Sequence, residues 1–271
     1  MALTEYQRSI LALLASRRIA KQESYLAGGT ALIVATDSRR LSRDIDLFHD
    51  TKEALLATWE EYRRILSEDG YRVEARLQYP AFVEAFVRKD AEAVVGQWAL
   101  DSAFRFFPLV RGPADLPALH PFDLATNKTL ALIGRLEPRD WVDLISCHDR
   151  IQHLGLLSWA ACGKDPGTNP SMILNEAGRS GRYTQAEMDG LSFDGGAPDA
   201  AALSARWKAM LAEARDVIAT LPPAEVGTCV LDTGGGLYHG NPGSLADALG
   251  RESLRFHRGS IRGSIPKFID R

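Results

Sequence analysis

Two neighbouring segments, Gly28-Gly29-Thr30-Ala31-Leu32 and Ser42-Arg43-Asp44-Ile45-Asp46-Leu47-Phe48, decide the fold prediction for this chain. The glycine pair follows the short apolar run Tyr25-Leu26-Ala27 and precedes residues with helical character, so the sequence predicts a strand-to-helix turn there. Residues 44–48 alternate between carboxylate and apolar side chains, which is typical of a half-buried strand. The expected order is therefore strand, glycine turn, helix and acidic strand.

The acidic strand carries the first candidate chemistry. Successive side chains of a strand point to opposite faces, so Asp44 and Asp46 are expected on one face, about 7 Å apart. Magnesium prefers oxygen ligands and is commonly held by one or two carboxylates together with substrate phosphates. The pair therefore predicts a site for one or two Mg²⁺ ions and a nucleoside triphosphate. The alternative interpretation is an acidic strand edge that simply faces solvent.

The glycine pair is the second candidate feature. Gly28 and Gly29 can offer backbone N–H groups to an anion at the N-terminus of the following helix. The spacing of a dinucleotide-binding GxGxxG motif is absent, and Gly163-Lys164 is followed by Asp165 instead of the Ser or Thr of a Walker A motif. The alternative is an ordinary turn that starts a helix.

Composition sets broad limits on the class of protein. A length of 271 residues fits one large domain or two modest ones, and 45% hydrophobic residues suffice for a sizeable core. The net charge of −3 gives no sign of bulk nucleic-acid binding, although a local basic patch is compatible with it. The three cysteines form no CxxC pair, which indicates reduced thiols in a cytoplasmic protein. We expect neither a signal peptide nor a membrane span.

The secondary-structure prediction gives an α+β fold class. The first part contains a helix that begins with the capping box Thr4/Gln7 and runs to about Arg18, and further helices over 30–35 and 52–67. Three antiparallel strands follow over 71–78, 82–88 and 94–106, with Asp90 in the turn between the last two.

The second part of the chain is predicted to be mainly helical. Helices are expected over 121–133, 138–154 and 199–221, with a loop over 163–182 and a glycine-rich irregular tail from residue 227. We therefore predict a catalytic domain over residues 1–120 and a helical domain over 121–271 that closes the nucleotide cleft.

The motifs resemble a known family. The two segments quoted first, with Phe122-Asp123-Leu124-Ala125-Thr126-Asn127-Lys128 and Arg139-Asp140-Trp141-Val142-Asp143-Leu144, are similar to the AbiEii/AbiGii-type nucleotidyltransferases, a branch of the polymerase-β-like superfamily. The resemblance covers roughly residues 20–150, whereas residues 160–271 resemble nothing we can name. It implies a nucleotidyltransferase fold and the transfer of NMP from an NTP to an acceptor hydroxyl. RNA, particularly a tRNA 3′ end, is the implied acceptor.

The resemblance also implies partners and site residues. Such proteins often act as toxins of bacterial toxin–antitoxin or phage-defence pairs, so a cognate antitoxin is a possible partner. Asp44 and Asp46 would be metal ligands, Lys128 would bind phosphate and Asp143 would organise the nucleotide site. The triphosphate would contact three consecutive residues, Gly28, Gly29 and Thr30. Asp101 is the candidate for a third carboxylate, which would bind metal or act as the base for the acceptor hydroxyl.

Several of these residues also have a purely structural interpretation. Lys128 could be a solvated helix lysine, and the i, i+3 pair Asp140 and Asp143 could form salt bridges with Arg135 or Arg139. We favour the salt-bridge interpretation for Asp140.

The residues that flank the acidic strand also leave alternatives open. Ser42 could contact a phosphate or cap the turn. Arg39, Arg40 and Arg43 could offset the acidic charge, touch phosphate or form a surface cluster. His49 is expected in an exposed loop after the strand. His148 and His153 lie five residues apart, which does not place them on one helix face, so no metal site is predicted there.

The tail from Arg251 to Arg271 combines basic and aromatic residues. This composition suits single-stranded nucleic acid, but we favour a last strand that packs on the body of the protein.

Three other functions compete with RNA modification. They are nucleotidyl transfer to a small molecule of the antibiotic type, nucleotidyl transfer to a protein, and a non-catalytic nucleotide- or RNA-binding module. The intact Asp44/Asp46 pair argues against the last.

Overall fold

The computed structural model describes residues 3–17 and 24–266. The chain forms two compact units, residues 1–103 with 109–120, and residues 104–108 with 121–271. The second unit thus includes residues 104–108, which the sequence assigned to the catalytic domain, and otherwise begins at the predicted boundary. The predicted residues Arg18 and 267–271 lie outside the described part of the chain.

The first unit combines helices with a mixed sheet. Its elements are α1 Glu5–Ser16, β1 Tyr25–Leu26, α2 Gly28–Thr36, β2 Asp44–His49, α3 Lys52–Glu68, β3 Arg72–Tyr79, β4 Phe82–Lys89, β5 Glu92–Leu100, β7 Val110–Arg111 and β8 Pro117–Ala118. The strand order is β3-β4-β5-β2-β1-β8-β7. The β3-β4-β5 strands form the predicted antiparallel run, and β2 pairs with β5 in parallel.

One face of this sheet is covered by α3. Trp59 of α3 meets Trp98 of β5 edge-to-face, with ring centroids 4.8 Å apart. The neighbouring side chains of β4 on the same face, Val83, Ala85 and Val87, are also buried. The opposite face carries residues 44, 46 and 48 of β2, because side chains alternate along a strand. The apolar alternation that the sequence shows therefore fixes which face presents the two aspartates.

Local sequence signals explain several element boundaries of the first unit. The Thr4 hydroxyl accepts the N–H of Gln7, and the Gln7 side chain accepts the N–H of Thr4, which confirms the predicted capping box. Asp90 has a φ of +55° in the two-residue turn between β4 and β5. The third strand was predicted to reach residue 106, but β5 ends at Leu100, since Phe104–Arg105 pairs with a different strand.

The second unit is largely helical. Its elements are β6 Phe104–Arg105, α4 Pro121–Arg135, α5 Pro138–Arg150, α6 Leu154–Ala161, α7 Pro170–Ala177, α8 Gln185–Asp189, α9 Ala200–Thr220, β9 Thr228–Asp232, α10 Pro242–Gly250, β10 Leu254–Arg258 and β11 Ser260–Ile261. Trp159 of α6, Val217 of α9, Val230 of β9 and Leu254 of β10 belong to one buried cluster of this unit.

Three parts of the second unit differ from the prediction. The helix expected over 138–154 ends at Arg150, and a separate helix, α6, begins at Leu154. Residues 163–182 were expected to be a loop but contain α7, whose N-terminus is capped by the Asn169 side chain with Pro170 in the first turn. The same Asn-Pro pair was interpreted as a loop signal. The tail from 227 was expected to be irregular, yet β9 pairs with β10 over five residue pairs and α10 lies between them.

The described part of the basic tail supports the packing interpretation. Phe256 packs against the cluster that contains Trp159. The His257 ring lies within 5.1 Å of the Phe107 ring, and its Nε2 is 2.8 Å from the Phe106 carbonyl oxygen. These aromatic side chains are therefore engaged inside the second unit.

A buried carboxylate attaches residues 104–108 to the second unit. Asp123, which is fully buried, accepts the backbone N–H groups of Phe106 and Phe107 at 2.8 and 3.0 Å. The Lys164 ammonium lies 2.8 Å from the same carboxylate. The Phe106 ring meets Phe122 edge-to-face at 5.1 Å. These contacts explain why this segment leaves the sheet unit.

The cysteines and the hydropathy of the helices complete the description. Cys147, Cys162 and Cys229 are free and buried, and burial raises the pKa of each thiol. Within residues 3–17 and 24–266, none of the helices combines the length and the apolar character that crossing a bilayer requires.

His49 is not the exposed loop residue that the sequence suggested. It is the last residue of β2 and is 0% exposed, and its Nδ1 is 3.3 Å from the Ala99 carbonyl oxygen. Burial lowers the pKa of His49 from 6.5 to about 4.

The pKa of His49 predicts an acid-dependent loss of stability. Below pH 6.5 His49 is protonated in the unfolded chain, whereas in the folded chain it stays neutral down to about pH 4. The free energy of unfolding therefore falls as the pH drops from 6.5 to about 4. Above pH 6.5 His49 is neutral in both states and does not change the free energy of unfolding. By pH 5 the loss from this group is about 2 kcal/mol. Denaturant titrations at pH 7 and pH 5 should show a correspondingly smaller loss for His49→Asn. His239→Asn, at an exposed histidine, should keep the wild-type loss.

Candidate active site

The acidic pair lies on the face of the sheet that α3 leaves uncovered. Asp44 is half-buried and Asp46 is 8% exposed. The parallel register places Asp44 opposite Val95 of β5 and Asp46 opposite Gln97. Two carboxylates therefore project from one face of β2 with an apolar and an amide side chain beside them.

The N-terminus of α2 lies directly against Asp46. The N–H of Gly29 donates a hydrogen bond to Asp46 Oδ2 at 3.1 Å, and the N–H of Ala27 donates to the Asp46 carbonyl oxygen. Gly28 has a φ of +60°, and a Cβ at this position would lie 2.0 Å from Asp46 Oδ2. Position 28 thus requires glycine both for its backbone conformation and for the space that the carboxylate occupies.

The Thr30 side chain is buried between α2 and β2. It is 0% exposed, and its hydroxyl donates a hydrogen bond to the Asp44 carbonyl oxygen. The contact of Thr30 with the triphosphate stays a prediction, and the structure shows that its hydroxyl is used inside the unit. Its role is to tie α2 to the acidic strand.

The segment before β2 brings a buried cation to the same helix N-terminus. Arg40 is 6% exposed, and a Cβ on Gly29 would lie 3.1 Å from its guanidinium and 3.2 Å from Ser42 Oγ. Ser42 is 7% exposed and its carbonyl oxygen accepts a hydrogen bond from the Gln7 side chain at 3.0 Å. Arg43 is exposed. Arg40 could not be distinguished from Arg39 and Arg43 in advance, because burial of one arginine in a cluster has no sequence signal.

Asp101 is not brought to the acidic pair. Asp46 is in register with Gln97, and Asp101 follows Gln97 by four residues, one residue beyond the end of β5, about 13 Å away in extended chain. Its N–H donates to the His49 carbonyl oxygen, and its carboxylate accepts the N–H of Ser102 at 2.8 Å. The parallel pairing of β2 and β5 thus places Asp101 at the far end of the strand from Asp44. Its role as third metal ligand and base stays a prediction, which this placement does not favour.

The chemistry of the remaining donor set fits a magnesium-bound triphosphate. Two carboxylates share one face, and the glycine at position 28 lets the Asp46 carboxylate lie against the N-terminus of α2. Within residues 3–17 and 24–266 no group of three His, Cys, Asp or Glu side chains is assembled for a metal ion. A cation here would accordingly depend on oxygens of another kind for the rest of its coordination.

A second polar cluster lies inside the second unit. Lys128 of α4 is 7% exposed, and its ammonium lies 2.8 Å from Asp140 and 3.0 Å from Asp143 of α5. Arg135 adds two hydrogen bonds to Asp140 at 2.5 and 2.9 Å. The favoured salt-bridge interpretation of Asp140 is confirmed. Lys128 is not a solvated helix lysine.

Charge compensation keeps Lys128 and Asp140 ionised. Burial alone would lower the pKa of Lys128, but the carboxylates of Asp143 and Asp140 outweigh it and raise that pKa above its usual value. Burial would likewise raise the pKa of Asp140, but the hydrogen bond from Arg135 and the charge of Lys128 lower it. Lys128 is therefore a fixed positive charge.

The two histidines that the sequence analysis set aside have local roles. His148 Nδ1 accepts the N–H of Leu154, and His153 Nδ1 accepts the N–H of Gly155, at 3.0 and 3.1 Å. Both rings therefore satisfy backbone donors at the start of α6.

The family of the chain follows from its sequence. Residues 10–220 match the family described as nucleotidyl transferase AbiEii toxin of type IV toxin–antitoxin systems. The match covers most of the chain, and the protein belongs to this family and is a nucleotidyltransferase. No sequence match was found among curated proteins.

One solved structure shows the same fold. The protein is similar to MenT4, a nucleotidyltransferase toxin from Mycobacterium tuberculosis, with a TM-score of 0.58 and 18% identity over 81% of this chain and 83% of that one. A weaker similarity, with a TM-score of 0.47 and 17% identity, covers 80% of this chain and 95% of JHP933 from Helicobacter pylori. The MenT4 match supports the predicted α+β nucleotidyltransferase fold.

Gly28→Ala should damage the site more than the fold. The added methyl group displaces the Asp46 carboxylate and strains the backbone, which costs about 1–3 kcal/mol and lowers nucleotidyl transfer about a hundredfold. Thermal melts and initial rates measure the two effects. Gly134→Ala is the matched control, because nothing lies within 4 Å of its added Cβ. Wild-type rates in Gly28→Ala would contradict the close approach.

Lys128→Met tests the buried cluster. The variant leaves Asp140 and Asp143, which are 0% and 1% exposed, without their shared ammonium, and should lower the free energy of unfolding by about 3 kcal/mol or more. Denaturant unfolding gives this number directly. Lys208→Met, at an exposed lysine of α9, should change it by less than about 0.5 kcal/mol. An equal effect of the two substitutions would rule out the buried ion pairs.

Proposed function

We propose that this protein transfers NMP from an NTP to a hydroxyl group of RNA, at a tRNA 3′ end, with release of pyrophosphate. The observation that supports this proposal most directly is the placement of Asp44 and Asp46 on one face of β2, with the N-terminus of α2 against Asp46. The protein would act as a toxin in the cytoplasm, where NTPs and tRNA are available, and a cognate antitoxin would limit it.

The residues of the first unit divide the work of the reaction. Asp44 and Asp46 would hold up to two Mg²⁺ ions, which when bound neutralise the triphosphate and favour ionisation of the acceptor hydroxyl. The backbone at Gly28 and Gly29 offers the positive end of α2 to a phosphate group. Arg40, whose guanidinium lies beside Gly29, adds a positive charge at the same point. Thr30 and Gln7 keep helix, strand and preceding segment in place.

Some predicted roles stay predictions. Ser42 and Arg43 are candidates for nucleotide contacts because they adjoin the acidic strand. The roles of Lys128 in phosphate binding and of Asp143 in organising the nucleotide site rest on the family resemblance. In the second unit the Lys128 ammonium forms ion pairs with Asp140 and Asp143.

The open face of the sheet favours an RNA acceptor. Phe86 of β4 is in register with Val95, which is in register with Asp44, so all three side chains lie on one face. The guanidinium groups of Arg88 and Arg76 lie 4.6 and 5.8 Å from the centre of the Phe86 ring. An aromatic ring with exposed arginines suits stacking of a base and contact with its phosphates. The ion pair of Arg88 with Glu74 is exposed enough for phosphate to compete.

Labelled nucleotides test the proposal. The full chain is incubated with each α-labelled NTP, Mg²⁺ and total bacterial RNA. We expect label in a tRNA-sized band with one or more NTPs, and loss of that label in Asp44→Asn/Asp46→Asn and on chelation of the metal. Asp37→Asn removes an exposed carboxylate from the same unit and should label RNA like the wild type.

Each other outcome has a definite meaning. Label on protein would contradict the RNA acceptor and support protein nucleotidylation, whereas label in a small-molecule fraction of a cell extract would support the antibiotic-type activity. Absence of label in every fraction, with a folded protein that binds no NTP, would contradict the transferase proposal itself. Melting curves of all variants establish that the protein is folded.

A further inference from the structure

The position opposite Asp46 on the neighbouring strand is occupied by an amide. Gln97 of β5 is in register with Asp46 and projects from the same face, and directly opposed side chains have their Cβ atoms about 5 Å apart. The sequence analysis sought a third oxygen donor at Asp101. The register places Gln97 where such a donor would have to be.

A hydrogen bond to Glu84 of β4 fixes the orientation of the Gln97 amide. Its Nε2 donates a hydrogen bond to Glu84 Oε2 at 2.9 Å, and Glu84 lies on β4 in register with Gln97. The Arg76 guanidinium lies 3.1 Å from Glu84 Oε1. The NH₂ end of the amide faces Glu84, because the amide nitrogen donates and the carboxylate oxygen accepts this hydrogen bond. Since β5 lies between β4 and β2 and the Nε2 end of the amide is used on the β4 side, the amide oxygen is the polar atom left for the β2 side.

We propose that Gln97, oriented by Glu84, supplies a neutral third oxygen ligand to the cation that Asp44 and Asp46 bind. An amide oxygen directed toward a carboxylate is unfavourable by itself and becomes favourable when a cation lies between them. Glutamine carbonyl oxygens are ordinary ligands of hard divalent cations. The inference rests on the nucleotide site proposed above and deepens it.

A neutral third ligand has a consequence for the order of binding. The site offers two negative charges where three carboxylates would offer three, so it holds a divalent cation weakly before the nucleotide arrives. The triphosphate supplies the missing negative oxygens. Metal and nucleotide are therefore expected to bind together, and the affinity for metal alone is expected to rise when a third carboxylate is introduced.

Mn²⁺ binding to the full chain without nucleotide or RNA tests the assignment. Gln97→Glu should bind Mn²⁺ about tenfold more tightly than the wild type in calorimetric or paramagnetic-resonance titrations. Gln97→Met keeps the length of the side chain but removes the oxygen, and should bind several-fold more weakly. Glu84→Gln frees the amide to turn over and should also weaken binding.

A matched variant distinguishes direct coordination of Mn²⁺ by residue 97 from the general effect of an added negative charge on Mn²⁺ affinity. Ala99 lies two residues along β5 on the same face, in register with Phe48, so Ala99→Glu adds the same charge about 7 Å away. Its Mn²⁺ affinity should rise much less than that of Gln97→Glu. Melting temperatures with and without Mn²⁺ give a second readout, and the stabilisation by Mn²⁺ should be largest for Gln97→Glu.

Two results would overturn the assignment. One is an equal gain in Mn²⁺ affinity for Gln97→Glu and Ala99→Glu, and the other is wild-type affinity in a folded Gln97→Met variant. Failure of RNA labelling together with the expected Mn²⁺ series would instead refute the RNA acceptor and leave Gln97 assigned. The two proposals are thus distinguished by separate measurements.

Discussion

The contact between the α2 N-terminus and the Asp46 carboxylate is the constraint on which the rest of the first unit's site depends. Gly28 leaves the space, the Gly29 N–H supplies the hydrogen bond, and Thr30 holds the helix to the strand. A helix N-terminus attracts negative charge, so the Asp46 carboxylate and a phosphate group are drawn to the same point. Two anions tolerate each other there only when cations are present, which explains why an acidic strand and an anion-binding turn occur together.

The sequence identified the parts that depend on local pattern. Alternation predicted β2 and the shared face of Asp44 and Asp46, and turn chemistry predicted the helix that begins after the glycines. Register is a property of two strands and has no signal in either one. For this reason nothing in the sequence indicated that Gln97 is the residue in register with Asp46, and Asp101 was the candidate named for the third carboxylate. Side-chain contacts such as the hydrogen bond of Thr30 were equally inaccessible from the sequence.

Both units use buried, compensated carboxylates to fix the backbone. In the second unit, Asp123 accepts two backbone N–H groups and contacts Lys164, and Asp140 is held by Lys128 and Arg135. Buried ion pairs contribute little net stability when complete but cost several kcal/mol when one partner is removed. They therefore specify geometry: one attaches residues 104–108, and the other joins α4 to α5. Lys128, Asp140 and Asp143, which belong to the motifs that carry the family resemblance, thus connect α4 to α5.

The three cysteines give the second unit an internal reporter. Cys147, Cys162 and Cys229 all lie in that unit, are buried, and have raised thiol pKa values. A thiol with these properties reacts with alkylating reagents only after the surrounding structure opens. The chain has no other cysteine. The rate of alkylation therefore reports opening of the second unit, and opening of the first unit does not contribute to it. Native thiol chemistry can thus separate the opening of one unit from that of the other without any engineered label.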